Sequence, residues 1–199
     1  SAIGEIKIWN VSTGEKLKSF GNHLNGIGPA IWSNSGNEIA ASCSDGSIKI
    51  WDAITLELKE SLEGFDHFST IFCWSPNGEK IAAKENDRKI VILDISSNDV
   101  LLTLEGHNDK IVSMSWNSNG TMIASGDYEG NIKIWDAITG KEIITFNEHK
   151  SNISSLSWHP NPSSLLLASG SFDATIKIWD MADSSLKQTF TGHSLHIRT

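Results

Sequence analysis

His149, Ser169 and Asp173 have the residue types of a serine hydrolase. In a hydrolytic triad the serine hydroxyl attacks a carbonyl carbon, the imidazole removes the hydroxyl proton, and the carboxylate orients the imidazole. A hydrolase needs such a set once per site, whereas this set recurs in whole or in part about every 42 residues. The chain also has no Gly-x-Ser-x-Gly motif, which exposes the nucleophilic serine in many hydrolases. The recurrence therefore favours a structural role for these residues.

Tryptophan residues mark an internal repeat. One series has a constant spacing of 42 residues and comprises Trp32, Trp74, Trp116 and Trp158. A second series has spacings of 42, 42, 42 and 44 residues and comprises Trp9, Trp51, Leu93, Trp135 and Trp179. The two additional residues fall in the proline-containing stretch 160–164, where a surface turn tolerates insertion. The chain therefore consists of successive copies of one structural unit.

Each unit contains four short runs of strand-forming residues. In the clearest copy these runs are 111–116, 122–125, 131–136 and 142–146. Gly, Asn, Asp and Ser separate the runs and favour tight turns, and no segment has the periodicity of a ten-residue amphipathic helix. A four-stranded meander of this size cannot bury both of its faces, so it must pack against the next copy. The sequence predicts an all-β protein of packed, four-stranded antiparallel sheets.

These landmarks resemble the WD-repeat β-propeller family, in which Gly-His opens a repeat and Trp-Asp ends its third strand. The resemblance covers essentially the whole chain and implies four complete blades plus partial ones. The implied boundaries are a partial blade at 1–20, complete repeats at 21–62, 63–104, 105–146 and 147–190, and the start of another repeat at 191–199. Because propellers of this family most commonly close with about seven blades, the chain is expected to be a fragment of such a ring, with the remaining blades outside it.

The same resemblance implies a hydrogen-bonded tetrad in each blade: a histidine, a serine or threonine, an aspartate, and the third-strand tryptophan. In the fourth complete blade the tetrad residues are His149, Ser169, Asp173 and Trp179. In the third complete blade they are His107, Ser125, Glu129 and Trp135, with glutamate in place of aspartate. The longer glutamate side chain is expected to displace its carboxylate.

The first two complete blades match the tetrad less well. Ala41 and Ala83 occupy the hydroxyl position, and Leu93 replaces the tryptophan of the second blade. The tetrad residues that these blades keep are His23, Asp45 and Trp51 in the first and His67 and Asp87 in the second. We therefore expect the second blade to be the loosest.

The composition disfavours several classes of function. The 16 Lys and Arg against 24 Asp and Glu give a net charge of -8, and phosphate-backbone binding requires basic residues. No stretch approaches the roughly 20 apolar residues of a membrane-spanning helix, and two cysteines cannot form the disulfide framework of a secreted scaffold. His159 and His196 have no companion ligands at metal-binding spacing. We expect an intracellular protein, in cytoplasm or nucleus, without metal, cofactor, membrane or nucleic acid.

Propellers of the family that this chain resembles act as rigid platforms, which implies a non-catalytic protein–protein interaction scaffold. A propeller hydrolase would need acidic residues on its inner strands, yet 26–32, 69–74, 110–116 and 152–158 contain no Asp or Glu. We therefore expect no enzymatic activity. The alternative is a regulatory or sensor propeller of a multidomain protein whose catalytic domain lies outside this chain.

The turns between second and third strands predict a binding surface. In the family these turns share one face with the Gly-His loops, and here Tyr128 and Phe172 directly precede the turn carboxylates. Aromatic side chains at such places often anchor partners, and Lys110 and Lys150 would add a cationic rim suited to an acidic segment of a protein or peptide. The alternative is that the two rings pack on neighbouring turns.

Overall fold

The computed structural model describes residues 4–23, 26–65 and 71–198, with the backbone alone for 21–23. These residues form eighteen β-strands and no helix. Every strand pairs antiparallel with its neighbours, as in the pairing of Ile111–Trp116 with Met122–Asp127. The predicted all-β class and the four-stranded antiparallel sheets are confirmed.

One compact unit comprises Ser1–Thr70 and Ile95–Asn98. It contains a two-stranded sheet of β1 (Gly4–Trp9) and β2 (Lys16–His23). It also contains a four-stranded sheet of β3 (Ile27–Trp32), β4 (Glu38–Cys43), β5 (Ile48–Asp52) and β6 (Leu58–Leu62). Ile6 of the first sheet packs with Ile39, Cys43 and Trp51 of the second, so the two sheets share one core.

The second unit comprises Ile71–Asp94 and Asp99–Thr199 and contains three four-stranded sheets. The first sheet consists of β7 (Phe72–Trp74), β8 (Lys80–Asn86), β9 (Lys89–Asp94) and β10 (Val100–Glu105). The second consists of β11 (Ile111–Trp116), β12 (Met122–Asp127), β13 (Ile132–Asp136) and β14 (Glu142–Phe146). The third consists of β15 (Ile153–Trp158), β16 (Leu166–Ser171), β17 (Ile176–Asp180) and β18 (Ser185–Phe190). In every sheet the strands follow one another in chain order.

The aspartate of the Trp-Asp dipeptide closes the turn between the third and fourth strands. Asp136 Oδ1 accepts hydrogen bonds from the backbone N–H groups of Ile138 and Thr139, at 2.9 and 2.7 Å. Asp52 binds the equivalent two N–H groups of its own turn, each at 2.8 Å. These donors lower the pKa of both carboxyl groups and satisfy backbone groups that no strand partner reaches. The dipeptide recurs because it combines a core residue with a turn residue.

Close backbone approach joins the second and third sheets of the second unit. A Cβ added to Gly126 of β12 would lie 2.5 Å from the Ile153 side chain of β15, so only glycine fits there. Beside this contact, the Ser113 hydroxyl donates a hydrogen bond to the Ile153 carbonyl at 2.8 Å. The Trp158 indole N–H likewise donates to the Ser115 carbonyl at 3.1 Å. These two sheets therefore pack face against face, as the repeat predicts for successive copies.

Both cysteine thiols are free. Burial raises the pKa of Cys43 and raises that of Cys73 to about 12. Both thiols therefore stay protonated at neutral pH and act as small apolar side chains.

Candidate functional site

A closed hydrogen-bond network holds the third sheet of the second unit together. The Asp173 carboxylate can only accept, so His149 Nδ1 donates to its Oδ2 at 2.8 Å. In the neutral imidazole, Nε2 is then an acceptor, and it lies 2.7 Å from the Ser169 Oγ, whose hydroxyl donates to it. The same Oγ accepts the indole N–H of Trp179 at 2.8 Å. The four side chains thus satisfy one another's buried polar groups.

This network has the connectivity of a hydrolytic triad but lacks access for a substrate. The Ser169 hydroxyl donates to an imidazole that is held by an aspartate, which is the arrangement that activates a nucleophilic serine. Ser169 is only 1% exposed, however, and its oxygen is already bound by the Trp179 indole. Burial of Ser169 and its hydrogen bond from Trp179 favour a structural role for these residues.

The second sheet of the unit has the same network with a different carboxylate. His107 Nδ1 donates to Asp127 Oδ2 at 3.0 Å, and its Nε2 lies 2.7 Å from the Ser125 Oγ. Trp135 donates its indole N–H to the same Oγ at 2.8 Å. Burial raises the pKa of Asp127, but hydrogen bonds from His107 and Asn131 outweigh it and lower that pKa.

The prediction that Glu129 supplies this carboxylate is therefore wrong. Glu129 is exposed, and only its backbone N–H reaches the network, donating to Asp127 Oδ1 at 3.1 Å. The reason is strand geometry: β12 continues to Asp127, beyond the predicted end at residue 125. Side chains two residues apart on a strand share a face, so Asp127 lies beside Ser125 while Glu129 lies beyond the strand. The alternation of side chains was the signal that could have identified Asp127.

Asp127→Asn should lower the free energy of unfolding by about 1.5 kcal/mol, because it removes charge-assisted hydrogen bonds in a buried site. Glu129→Gln is the matched control, and it should change stability by less than about 0.5 kcal/mol as an exposed substitution. Urea denaturation of both variants measures the difference. A larger loss of unfolding free energy in Glu129→Gln than in Asp127→Asn would show that Glu129 supplies the carboxylate of this network.

In the two remaining four-stranded sheets the turn aspartates form ion pairs with lysines. Asp45 Oδ2 lies 2.7 Å from Lys49 Nζ, and although burial raises its pKa, bonds from Lys49 and Ser47 lower it to about 2. The exposed Asp87 lies 3.3 Å from Lys84 Nζ and 3.5 Å from Lys110 Nζ. Ala41, Ala83 and Leu93 are buried at the tetrad positions. The side chain of His23 and the whole of His67 lie outside the described residues.

The His149–Asp173 pair links the stability of its sheet to pH. Burial lowers the pKa of His149, and the hydrogen bond that His149 donates to Asp173 only partly opposes this effect. Burial raises the pKa of Asp173, but hydrogen bonds from Thr175, Lys150 and His149 together hold it far below its ordinary value. Both groups therefore bind protons more weakly in the folded than in the unfolded protein.

Stability should fall as the pH decreases, because protons favour the state that binds them more tightly. The contribution of His149 is complete above the unfolded histidine pKa of about 6.5 and is lost as the pH falls through its lower folded pKa. The loss from Asp173 begins below about pH 4. Urea midpoints between pH 7.5 and 5 should decrease less in His149→Gln than in the unsubstituted protein or in His159→Gln, the exposed control. Equal slopes in all three proteins would contradict this assignment.

Tyr128 is exposed on the turn between β12 and β13. Its side chain is 52% exposed, while its backbone N–H donates to the Lys110 carbonyl at 3.0 Å. This bond fixes the turn against the chain that enters β11. The Lys110 side chain is also exposed, and its Nζ lies 3.5 Å from Asp87 Oδ1. The predicted cationic rim is therefore partly neutralised at this residue.

Phe172 occupies the equivalent turn of the next sheet but is only half-exposed. Its ring stacks on that of His196, with centroids 4.7 Å apart, and His196 Nδ1 donates to its carbonyl at 2.7 Å. Lys150 is exposed, and its backbone N–H donates to Asp173 Oδ2 at 2.9 Å. Tyr128 and Phe172 thus differ: the first ring is open to solvent, and the second packs on its neighbour.

Among residues 4–23, 26–65 and 71–198, no three His, Cys, Asp or Glu side chains are grouped so as to hold a metal ion. Within the same ranges, no helix has the length and apolar character needed to span a membrane.

Comparison with known families finds a match that agrees with the repeated four-stranded sheets. The family model described as the WDR19 first β-propeller matches residues 28–195. This range includes every strand of the four-stranded sheets except the first residue of β3. Comparison with curated protein sequences finds no match.

Proposed function

Since this chain belongs to the WDR19 first β-propeller family, we propose that it is a non-catalytic protein–protein interaction scaffold built of WD repeats. The partner binds the turn surface, defined as Tyr128, Phe172, Lys110 and Lys150. The observation that carries this proposal is the exposed aromatic ring of Tyr128 on a turn whose backbone is fixed by Lys110.

The chemistry of the turn surface suits a protein partner with acidic residues. An aromatic ring on a fixed turn loses little conformational entropy on binding, which is why tyrosine is frequent among residues that dominate binding energy. Lys150 adds a positive charge that attracts an acidic segment, while the net charge of -8 disfavours nucleic acid.

Partner capture by the full-length protein tests the proposal. The Tyr128→Ala, Phe172→Ala double variant should lose a defined set of captured proteins that the unsubstituted protein retains, as quantified by mass spectrometry. Ile138→Ala, at an exposed apolar position in the β13–β14 turn, is the matched control and should capture that set normally. Circular dichroism verifies that all three proteins are folded. Unchanged capture by the folded double variant would remove the turn surface from consideration.

A second candidate function is that of a regulatory or sensor propeller in a multidomain protein. The family description favours it, because a first β-propeller in WDR19 is one part of that protein. An activity of the complete protein that changes when the Tyr128 and Phe172 substitutions are introduced would support this function. A complete protein without any activity would exclude it.

A further inference from the structure

An open cavity of about 500 Å³ lies near the beginnings of β11 and β15 in the second unit. It is lined by Val112, Asn152, Ser154, Phe172 and Arg198. Its volume lies within the range of cavities that bind small molecules or a few residues of a peptide. The lining includes one residue of the turn surface, Phe172, and four residues that the turn surface does not include.

The repeat explains how Arg198 comes to line this cavity. Val112, Ser154 and Arg198 each follow an isoleucine at the same position of successive repeats. The Ile111 N–H donates to the Asp87 carbonyl at 2.7 Å, and the Ile197 N–H donates to the Ser171 carbonyl at 3.2 Å. The Ile197 bond thus joins the segment that contains Arg198 to the end of β16, and the repeat places a cation where other copies have Val112 or Ser154.

Asn152 supplies an unsatisfied hydrogen-bond acceptor in the cavity wall. The residue is 8% exposed, and its side-chain Oδ1 has no hydrogen-bond partner among the described residues. Its main chain is held in place, because the Asn152 carbonyl accepts the Phe172 N–H at 2.9 Å. A buried amide oxygen without a donor is unfavourable unless another molecule supplies one.

The remaining wall combines a cation with fixed apolar groups. Arg198 is exposed, and within the described part of the chain it forms no ion pair; a guanidinium can bind a carboxylate through two parallel hydrogen bonds. The Phe172 ring is fixed by its stacking on His196. Val112 adds an aliphatic surface, and none of the described residues that line the cavity is acidic.

From this lining we propose that the cavity binds an internal peptide segment in which an acidic side chain neighbours an apolar one. The carboxylate pairs with Arg198, a main-chain N–H donates to Asn152 Oδ1, and the apolar side chain packs on Phe172 and Val112. A polyphosphate or nucleic acid would need several cations, and one arginine is present in the lining. The inference rests on the proposed function, because it specifies the segment that the protein partner presents.

Two pools of immobilised hexapeptides, capped at both ends and randomised outside one position, test the preference for a carboxylate. One pool has glutamate at the fixed position and the other has glutamine. The labelled full-length protein should be retained about tenfold more strongly on the glutamate pool, because a carboxylate forms charge-assisted hydrogen bonds with Arg198 and the neutral glutamine amide does not. Arg198→Gln should abolish this difference, and Phe172→Leu should weaken retention on both pools.

Arg88→Gln is the matched control, because Arg88 is the only other arginine of the chain and is exposed outside the cavity. It should leave the tenfold preference unchanged. Equal retention on the two pools, or a preference that persists in Arg198→Gln, would overturn the inference. Complete release by millimolar inorganic phosphate with no preference for glutamate would assign the cavity to free anions and would also overturn it.

The outcome for the proposed function is separable, because Tyr128 does not line the cavity. Suppose that Tyr128→Ala abolishes partner capture while Arg198→Gln alters neither capture nor peptide preference. This result would support the scaffold function and contradict peptide binding in the cavity. If Tyr128→Ala, Phe172→Ala leaves capture unchanged in a folded protein, the turn surface fails whatever the peptide pools show.

Discussion

Replacing Trp179 with alanine is expected to lower the free energy of unfolding by about 3 to 5 kcal/mol, the range for truncation of a buried tryptophan. Trp179 is fully buried in β17 and donates its indole N–H to Ser169. Its ring also stacks on Phe146 of the preceding sheet, with centroids 4.5 Å apart. The substitution therefore opens a cavity between two sheets and removes the N–H group that donates to Ser169 Oγ.

Trp9→Ala is the matched control for this experiment. Trp9 occupies the same third-strand position of its repeat in the first unit, but its side chain is 54% exposed. Its truncation should cost less than about 1 kcal/mol, because little apolar surface is removed from a core. Urea denaturation followed by circular dichroism measures both variants. Similar losses for Trp9→Ala and Trp179→Ala would show that burial between sheets is not the source of the effect.

Gly126→Ala should lower the free energy of unfolding by about 3 kcal/mol, at the upper end of the cost of inserting a methyl group into a packed core. The new Cβ would lie 2.5 Å from both Cβ and Cγ2 of Ile153, and 2.7 Å from the Ser113 hydroxyl. Relief would require β15 to move away from β12, which would lengthen the hydrogen bond between Ser113 and the Ile153 carbonyl.

A double-mutant cycle separates this clash from a loss of backbone flexibility. Ile153→Ala alone should destabilise the protein by about 2 to 5 kcal/mol, but it removes Cγ2, one of the two Ile153 atoms that the new methyl group would meet, and leaves space into which the strand can relax. Gly126→Ala should therefore cost less in the Ile153→Ala background, with a coupling of about 1 kcal/mol. Additive effects of the two substitutions would contradict close packing at this contact.

The spacing of tryptophans predicts the repeat, the strands and the sheet order because these features depend on local sequence. A run such as Ile132–Asp136 alternates side chains between two faces, and turn residues end it within a few positions. The Trp-Asp dipeptide closes its turn through hydrogen bonds to N–H groups two and three residues ahead. Information of this kind lies within one repeat and can be read without knowledge of neighbouring chain segments.

The carboxylate of the second network is specified by local sequence, through the alternation of side chains along β12. Alignment of repeats selects Glu129, which corresponds to Asp173, whereas strand alternation selects Asp127, which shares a face with Ser125. The shorter aspartate reaches His107 from the strand itself, at 3.0 Å. The repeat alignment and the strand alternation therefore predict different carboxylates, and the hydrogen bond from His107 identifies Asp127 as the correct one.

The amino-acid sequence by itself determined the strands, their order and most of the network residues, because a strand's pattern and its turns are encoded within about 42 residues. Tertiary structure alone decided which contacts the surface side chains make. Phe172 stacks on His196, 24 residues further along, and the Lys110 cation lies beside Asp87, 23 residues earlier. The cavity combines residues from 112 to 198, and no pattern within one repeat specifies which side chains from successive repeats will converge. Such contacts depend on how one sheet packs against the next, so they exist only once the repeats have folded together.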